Sequence, residues 1–279
     1  MEIKQQGING LQLFVVKKDS VESSIKTGIE FPFQQRIIQY RHYLFPFSLA
    51  SNESATCFLM ANDFAESFVM PLELWEKKAF LENNSTLSLN YGIYLGVLCL
   101  YIFIPILLII LTRTKISIYY FFLVISLTLY ILATEGFGRQ FLWTYANSSF
   151  NKIIRPSLIG AQLLFLILFC VQFFIEKGKK SRLLKILIWE RNIIIFLLPT
   201  VGFLTYLFMD TDYSSFVNFA VLSAEFILYF TSILIILWIA LSEFYRIQEL
   251  DWLVIALIAF THIGTVSYTH LTLPTICSV

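Results

Sequence analysis

The hydrophobic and polar positions divide the chain into two parts with different periods. Before about residue 88, apolar side chains recur at every second position in two runs: Tyr43, Phe45, Phe47, Leu49 and Phe68, Met70, Leu72, Leu74. An alternation of period two places one face of a β-strand inward. A β-rich run at residues 11–16 and turn residues between the runs add to this pattern. We therefore predict half-buried antiparallel strands whose interior includes the following side chains: Phe45, Phe47, Met70 and Leu72.

The predicted β domain covers residues 1–86 and is small for a two-sheet sandwich, which typically needs about 100 residues. We expect an incomplete sandwich that lacks one or two opening strands.

After residue 88 the apolar residues form continuous runs instead of alternating. At about 1.5 Å per helical residue, five runs are long enough to cross a hydrocarbon core of about 30 Å. They lie at residues 91–111, 116–134, 157–175, 192–208 and 216–241. A sixth run begins at Leu253 and turns polar after Gly264. The pattern predicts an α-helical multi-pass membrane bundle at residues 87–265, with five full spans and a truncated sixth.

The basic residues of the loops between these runs predict an orientation. One side of the bundle carries eight of them: Arg113, Lys115, Lys177, Lys179, Lys180, Arg182, Lys185 and Arg246. The loops on the other side carry only Arg139 and Lys152. Lys and Arg accumulate on the cytoplasmic side of membrane proteins. We therefore expect an inner-membrane protein whose β domain lies outside the cytoplasm.

Composition and charge exclude several classes of protein. The 279 residues are 57% hydrophobic and 14% charged, whereas soluble domains are about 25% charged. The net charge of +1 provides no field that would attract nucleic acid. The four cysteines and three histidines are too scattered for a metal site or a catalytic triad. We expect no cofactor, no catalytic residue, no metal and no nucleic-acid partner.

Glu225 is the most informative ionisable residue because it lies deep in the fifth apolar run. A carboxylate at such a depth costs about 2.5–3.5 kcal/mol on insertion scales. It should therefore face other helices. It is either an intramembrane switch that binds a ligand or a proton, or a protonated or hydrogen-bonded structural residue beside Tyr229 or a neighbouring hydroxyl.

Two further groups are candidates for ligand binding. Glu135, Arg139 and Trp143 recur at helical spacing beyond the second span, where they form a rim for a ligand, a docking surface for the β domain, or an interfacial anchor. The β domain has a second group, which offers a cation and an aromatic platform suited to a sugar acid or polyol: Arg36, Arg41 and Trp75. The alternative for this second group is surface ion pairs and a packed tryptophan.

Motifs in both parts resemble one bacterial family. Residues 91–96 (YGIYLG), Tyr119-Tyr120, Glu135-Gly136 and residues 140–143 (QFLW) are similar to the start of the seven-transmembrane receptors with diverse intracellular signalling modules, 7TMR-DISM. The N-terminal part resembles that family's type 2 extracellular domain at Gly28, Pro32-Phe33, Arg36, Arg41, residues 45–47 (FPF) and residues 70–75 (MPLELW). The resemblance implies a jelly-roll sandwich that binds carbohydrate-like ligands.

The chain also departs from the family pattern. We expect that it lacks the opening strands of the sandwich, the end of the sixth helix, the seventh helix and an intracellular output module. Residues 266–279 resemble translated adapter sequence, and we expect this tail to be artefactual. The chain is thus interpreted as a receptor fragment rather than an enzyme.

The partners expected of such a receptor are the bilayer, a small extracytoplasmic ligand, an intracellular signalling module and a second copy in a homodimer. The alternative function is a transporter or membrane enzyme subunit with an accessory outer domain. That class usually shows several polar residues at mid-membrane depth or internal repeats, and here only Glu225 qualifies.

Overall fold

The computed structural model describes residues 1–4, 7–17, 20–62, 71–176, 182–208 and 214–242. Some side chains in the last two ranges, including that of Glu225, are outside the description. The chain forms two compact units, Met1–Leu228 and Tyr229–Val279. The first unit holds the β domain and four long helices. The described part of the second unit is the C-terminal half of a fifth helix.

Six described strands form two antiparallel sheets at the N-terminus. They are β1 (Glu2–Ile3), β2 (Gly10–Lys17), β3 (Ser20–Thr27), β4 (Tyr43–Leu44), β5 (Thr56–Asn62) and β6 (Leu72–Glu73). One sheet has the strand order β4-β1-β6 and the other β3-β2-β5. The predicted N-terminal β region is therefore confirmed.

The core of the β domain is built on β2. Leu11, Leu13 and Val15 point inward from this strand, and Leu13 lies between Ile25 of β3 and Leu59 of β5 in the register. Tyr43 and Phe45 complete the core from the other sheet and the segment after it. Central strands bury an alternate row of side chains most completely because both edges are paired.

The predicted interior is only partly correct. Phe45 is buried and Phe47 is half-buried against the core, but the prediction for Leu72 is wrong because this side chain is 49% exposed. Among the described strands, the two-residue strand that holds Leu72 pairs only with β1, so no described strand covers its outer side. Phe68 and Met70 lie outside the described residues.

Five described helices follow: α1 (Lys77–Thr112), α2 (Lys115–Thr134), α3 (Ser148–Glu176), α4 (Arg182–Phe208) and α5 (Ser214–Ser242). Among the described residues, α1, α2 and α3 are long and apolar enough to cross a membrane. The first three predicted spans lie within them. Helices α4 and α5 occur where the fourth and fifth spans are predicted, but the count of five spans stays a prediction. The predicted sixth span and the tail lie outside the described residues.

Helix α1 joins the β domain directly to the bundle. It begins at Lys77, so the predicted domain boundary at residue 86 falls inside a continuous helix. Its 36 residues extend over about 54 Å, longer than a hydrocarbon core of about 30 Å. Large apolar side chains such as Ile93, Leu100 and Phe103 are exposed along it, as a lipid-facing helix requires.

Candidate functional site

The candidate site lies where the β domain contacts the ends of α1 and α2, and a glycine shapes its β-domain side. Gly28 follows β3 with φ +138°, and a Cβ at this position would lie 2.3 Å from the carbonyl oxygen of Asn9. The turn is held by the N–H of Ile29, which donates to Ile8 O at 3.0 Å, and that of Glu30, which donates to Asn9 O at 3.1 Å. The carbonyl groups at residues 28–31 can then face the helices.

The helical side of the site is an irregular turn after α2. Gly136 adopts φ +80° just after the end of the helix, so the helical spacing of the candidates does not correspond to one continuous α-helix. A π-helical turn at Gly138–Leu142 follows. The ring of Trp143 lies over Gly138, where a Cβ would come within 2.1 Å of Trp143 Cζ2. Trp143 therefore supports the turn that presents Arg139.

Arg139 joins this turn to the β domain. Its Nη2 donates to the carbonyl oxygens of Gly28 at 3.0 Å, Ile29 at 3.4 Å and Phe31. Arg139 is 8% exposed, so these hydrogen bonds form away from water. Because hydrogen bonds to a charged group contribute more than neutral ones, Arg139 is a strong link between the two parts.

A second link joins Arg41 of the β domain to Glu135 at the end of α2. Arg41 Nη1 lies 3.4 Å from Glu135 Oε2, and the Tyr91 hydroxyl of α1 donates to the same oxygen at 2.9 Å. The Arg41 guanidinium lies over the Tyr91 ring, with Cζ 3.8 Å from its centroid, and near the ring of Phe137. One carboxylate thus connects the β domain with two helices.

Contacts at the edge of this interface are weaker. Lys152 Nζ of α3 lies 3.9 Å from Glu30 Oε1, which is partly exposed. Tyr40 donates from its hydroxyl to Asn84 Oδ1 of α1 at 2.7 Å, and its ring packs against Phe80. The interface therefore has a buried charged centre and a more exposed polar margin.

Arg36 is buried inside the β domain beside this interface. Its Nη1 donates to the carbonyl oxygens of Tyr40 at 2.7 Å, Arg41 at 3.2 Å and His42 at 3.4 Å. The guanidinium lies against the rings of Phe33 and Tyr43, with Cζ 4.7 and 4.4 Å from their centroids. Arg36 therefore holds the loop that carries Arg41.

Trp75 belongs to a polar group around Glu2 of β1. Its Nε1 donates to Glu2 Oε2 at 3.0 Å and to Glu73 Oε2 at 3.1 Å. Glu2 also pairs through Oε1 with Nδ1 of the buried His42. The structure therefore does not place Trp75 on a common platform with Arg36 and Arg41.

Burial shifts the pKa of several of these groups. Burial lowers the pKa of Arg36 to about 10, and the neighbouring charge of Arg139 lowers it too, while Tyr43 opposes both effects. Burial also lowers the pKa of Arg139 and that of His42. Burial raises the pKa of Glu2, but hydrogen bonding and charge interactions with His42, the charge of Lys4 and the Trp75 hydrogen bond outweigh it, so the pKa is lower than usual.

The structure brings together residues from the two predicted groups. Arg41 meets Glu135, and Arg36 lies close to Arg139, so candidates of the β domain face candidates of the bundle. The sequence analysis did not predict Tyr91, Tyr43 or Gly28 as site residues. Gly28 and Tyr91 lie in the family motifs, which were the only sequence signal for them, and Tyr43 had none. Glu225 lies outside the described side chains.

Metal binding has no support in the part of the chain that the structure describes. No group of three or more His, Cys, Asp or Glu side chains there could hold a metal ion. The chemistry available at the site is hydrogen bonding, ion pairing and stacking on aromatic rings.

Comparison with known proteins identifies both parts of the chain. A family model described as 7TM diverse intracellular signalling, 7TMR-DISM_7TM, matches residues 87–277. A second, described as 7TMR-DISM extracellular 2, matches residues 1–76. No curated protein and no solved structure shows significant similarity to the chain.

Proposed function

Since the chain belongs to the 7TMR-DISM family, we propose that it is the sensing part of a transmembrane signalling receptor. In this proposal the β domain is a jelly-roll-like sandwich outside the inner membrane that binds a small, carbohydrate-like ligand. Five helices cross the bilayer fully, and an intracellular output module receives the signal.

The observation that supports this proposal is the contact between the β domain and the helix ends. Arg139 on the helical side donates to three backbone carbonyl groups in the turn after β3, and Arg41 of the β domain pairs with Glu135. These buried links couple the β domain to the helix ends, because a shift at one side of such a link displaces the other.

The mechanism requires two arrangements of the bundle. A ligand changes their balance only if it binds one of them more tightly. Glu135 is well placed to transmit the difference, because Arg41 of the β domain and Tyr91 of α1 bind the same carboxylate oxygen at the end of α2. Moving Arg41 changes the force on both helices, whose other ends meet at Arg113.

The proposal is tested by distance measurements at the far end of the helices. Spin labels are attached at Arg113→Cys, between α1 and α2, and at Glu176→Cys, at the end of α3, in the full chain in nanodiscs with native cysteines replaced by serine. Pulsed electron resonance then compares Arg139→Gln with the parent. We expect a shifted or broadened distance distribution, because the outer contact no longer fixes the bundle.

Two controls make the result decisive. Lys152→Gln removes a positive charge from the weaker edge of the same interface and should leave the distribution unchanged. A second label pair at Ser24→Cys and Tyr145→Cys, both on exposed residues, reports whether the β domain has loosened. If Arg139→Gln loosens the β domain while the distance between residues 113 and 176 stays the same, the receptor proposal is wrong.

A further inference from the structure

Two buried guanidinium groups near the interface have hydrogen-bonding capacity that the protein leaves unused. Arg36 Nε and Nη2 and Arg139 Nη1 are buried without a hydrogen-bond partner in the described structure. Each of the two arginines is 8% exposed. Leaving a buried donor unpaired destabilises a protein, more so when the donor is charged, so such groups need an explanation.

The same two groups also have no counter-ion in the part of the chain that the structure describes. Within the described residues, the buried ion pairs involve Arg41 with Glu135 and His42 with Glu2, whereas Arg36 and Arg139 lie within 4 Å of no carboxylate. The charge of Arg139 is close enough to lower the pKa of Arg36, and Tyr43 is a neighbour of both. Two like charges buried together repel each other and favour the binding of an anion.

The geometry of the unused atoms specifies the kind of anion. Arg36 uses Nη1 for three backbone carbonyl groups, which leaves the edge formed by Nε and Nη2. The two parallel N–H groups on that edge match two oxygens of a carboxylate or phosphate group. Arg139 likewise uses Nη2 for the β domain and leaves Nη1.

We propose that Arg36 and Arg139 form an oxyanion-binding site between the β domain and the turn after α2, which takes a carboxylate or phosphate group of the ligand. This inference rests on the proposed function and specifies its ligand class as anionic. Arg36 belongs to the β domain and Arg139 to the helical part, so an anion held by both favours the docked arrangement. The donor atoms are closed to solvent here, so the ligand enters when the two parts separate.

Binding is measured on the full chain in detergent by titration calorimetry and by the thermal unfolding midpoint. The probes are galacturonate, galactose as the neutral sugar of the same shape, and inorganic phosphate, all at one ionic strength set with sodium chloride. We expect galacturonate or phosphate to bind and raise the midpoint, and galactose to have no effect. Binding of galacturonate alone identifies a carboxylate site, and binding of phosphate alone identifies a phosphate site.

Variants then test the assigned residues. Arg139→Gln should weaken anion binding at least tenfold, and Lys152→Gln should leave it unchanged although it removes the same charge nearby. Arg36→Lys and Arg139→Lys keep the positive charge and lose the planar fork, so each should also weaken binding about tenfold. These conservative variants serve if the glutamine variant does not fold.

Either of two results overturns the site. One is that neither anion binds at 10 mM, a concentration at which binding with a weak Kd of about 1 mM would be detected. The other is equal binding by the parent and the Arg139 variants. Failure here differs from failure of the receptor proposal: anion binding without any change between residues 113 and 176 refutes only the receptor. Coupling between the two ends without anion binding refutes only the oxyanion site.

Discussion

Arg41 and Glu135 lie 94 residues apart in the sequence and form an ion pair, with Arg41 Nη1 3.4 Å from Glu135 Oε2. The side chains are 4% and 12% exposed, so water screens their interaction only weakly. The pair joins the β domain directly to the end of α2. The pair therefore provides the first test of the interface.

Glu135→Gln should destabilise the protein because it leaves the buried Arg41 guanidinium without its counter-charge. Removing one partner of a buried pair costs about 3–5 kcal/mol. Thermal unfolding of the full chain in detergent measures the effect. The matched control is Lys4→Gln, which breaks the more exposed pair with Glu73 and should cost below about 1 kcal/mol. Equal effects of the two substitutions would contradict the importance of burial here.

Gly28→Ala should loosen the β-domain side of the interface. The left-handed backbone alone costs a non-glycine residue about 1–3 kcal/mol, and the new Cβ would also collide with Asn9 O. We expect a lower unfolding midpoint and a broader distance distribution between labels at residues 24 and 145. Gly10→Ala is the control, since its Cβ would have no neighbour closer than 3.7 Å. A Gly28→Ala protein as stable as this control would refute the argument.

Leu13→Ala should cost about 2–5 kcal/mol of folding free energy, because Leu13 is fully buried between the other two strands of its sheet. Leu72→Ala removes the same atoms from a half-exposed edge position and should cost much less. Resistance of the β domain to limited proteolysis compares the two variants. If the order of the two effects is reversed, the assignment of β2 as the centre of the core is wrong.

The lowered pKa of Glu2 predicts a dependence of stability on acid. A carboxyl group whose pKa is lower in the folded than in the unfolded state stabilises the folded protein at pH values above its ordinary pKa of 4.5. That contribution disappears as the pH falls from 4.5 through the folded-state pKa. The unfolding midpoint of the parent should therefore fall more than that of Glu2→Gln between pH 7 and pH 3.5. Identical pH profiles would show that His42 and Trp75 do not stabilise the charged form.

The proposed orientation predicts the accessibility of two loop residues. Tyr145 lies after α2 and is 89% exposed, whereas Arg113 lies before the start of that helix. In intact cells, a membrane-impermeant maleimide should therefore label Tyr145→Cys and should not label Arg113→Cys. Native cysteines are replaced by serine in both variants. Permeabilised cells should label both. The reverse pattern in intact cells would place the β domain in the cytoplasm.

The sequence by itself determined the division into a β region and apolar helices. Period-two alternation and long uncharged runs are local properties, because each follows from whether neighbouring side chains face water, protein or lipid. The first three predicted spans lie within α1, α2 and α3 for this reason. The family motifs also pointed to Gly28, whose role depends on a backbone angle that only glycine adopts readily.

Only the tertiary structure decided which apolar side chains are buried and what the charged residues contact. Leu72 follows the same alternation as Phe45, yet one is exposed and the other buried, because strand order determines which strand becomes an edge. Similarly, the sequence suggested Arg36, Arg41, Glu135 and Arg139 as two separate groups. Their meeting depends on how β domain and helix ends dock, a long-range arrangement that no local period encodes. The pairing of Arg41 with Glu135, and the unpaired charges beside it, are consequences of that docking.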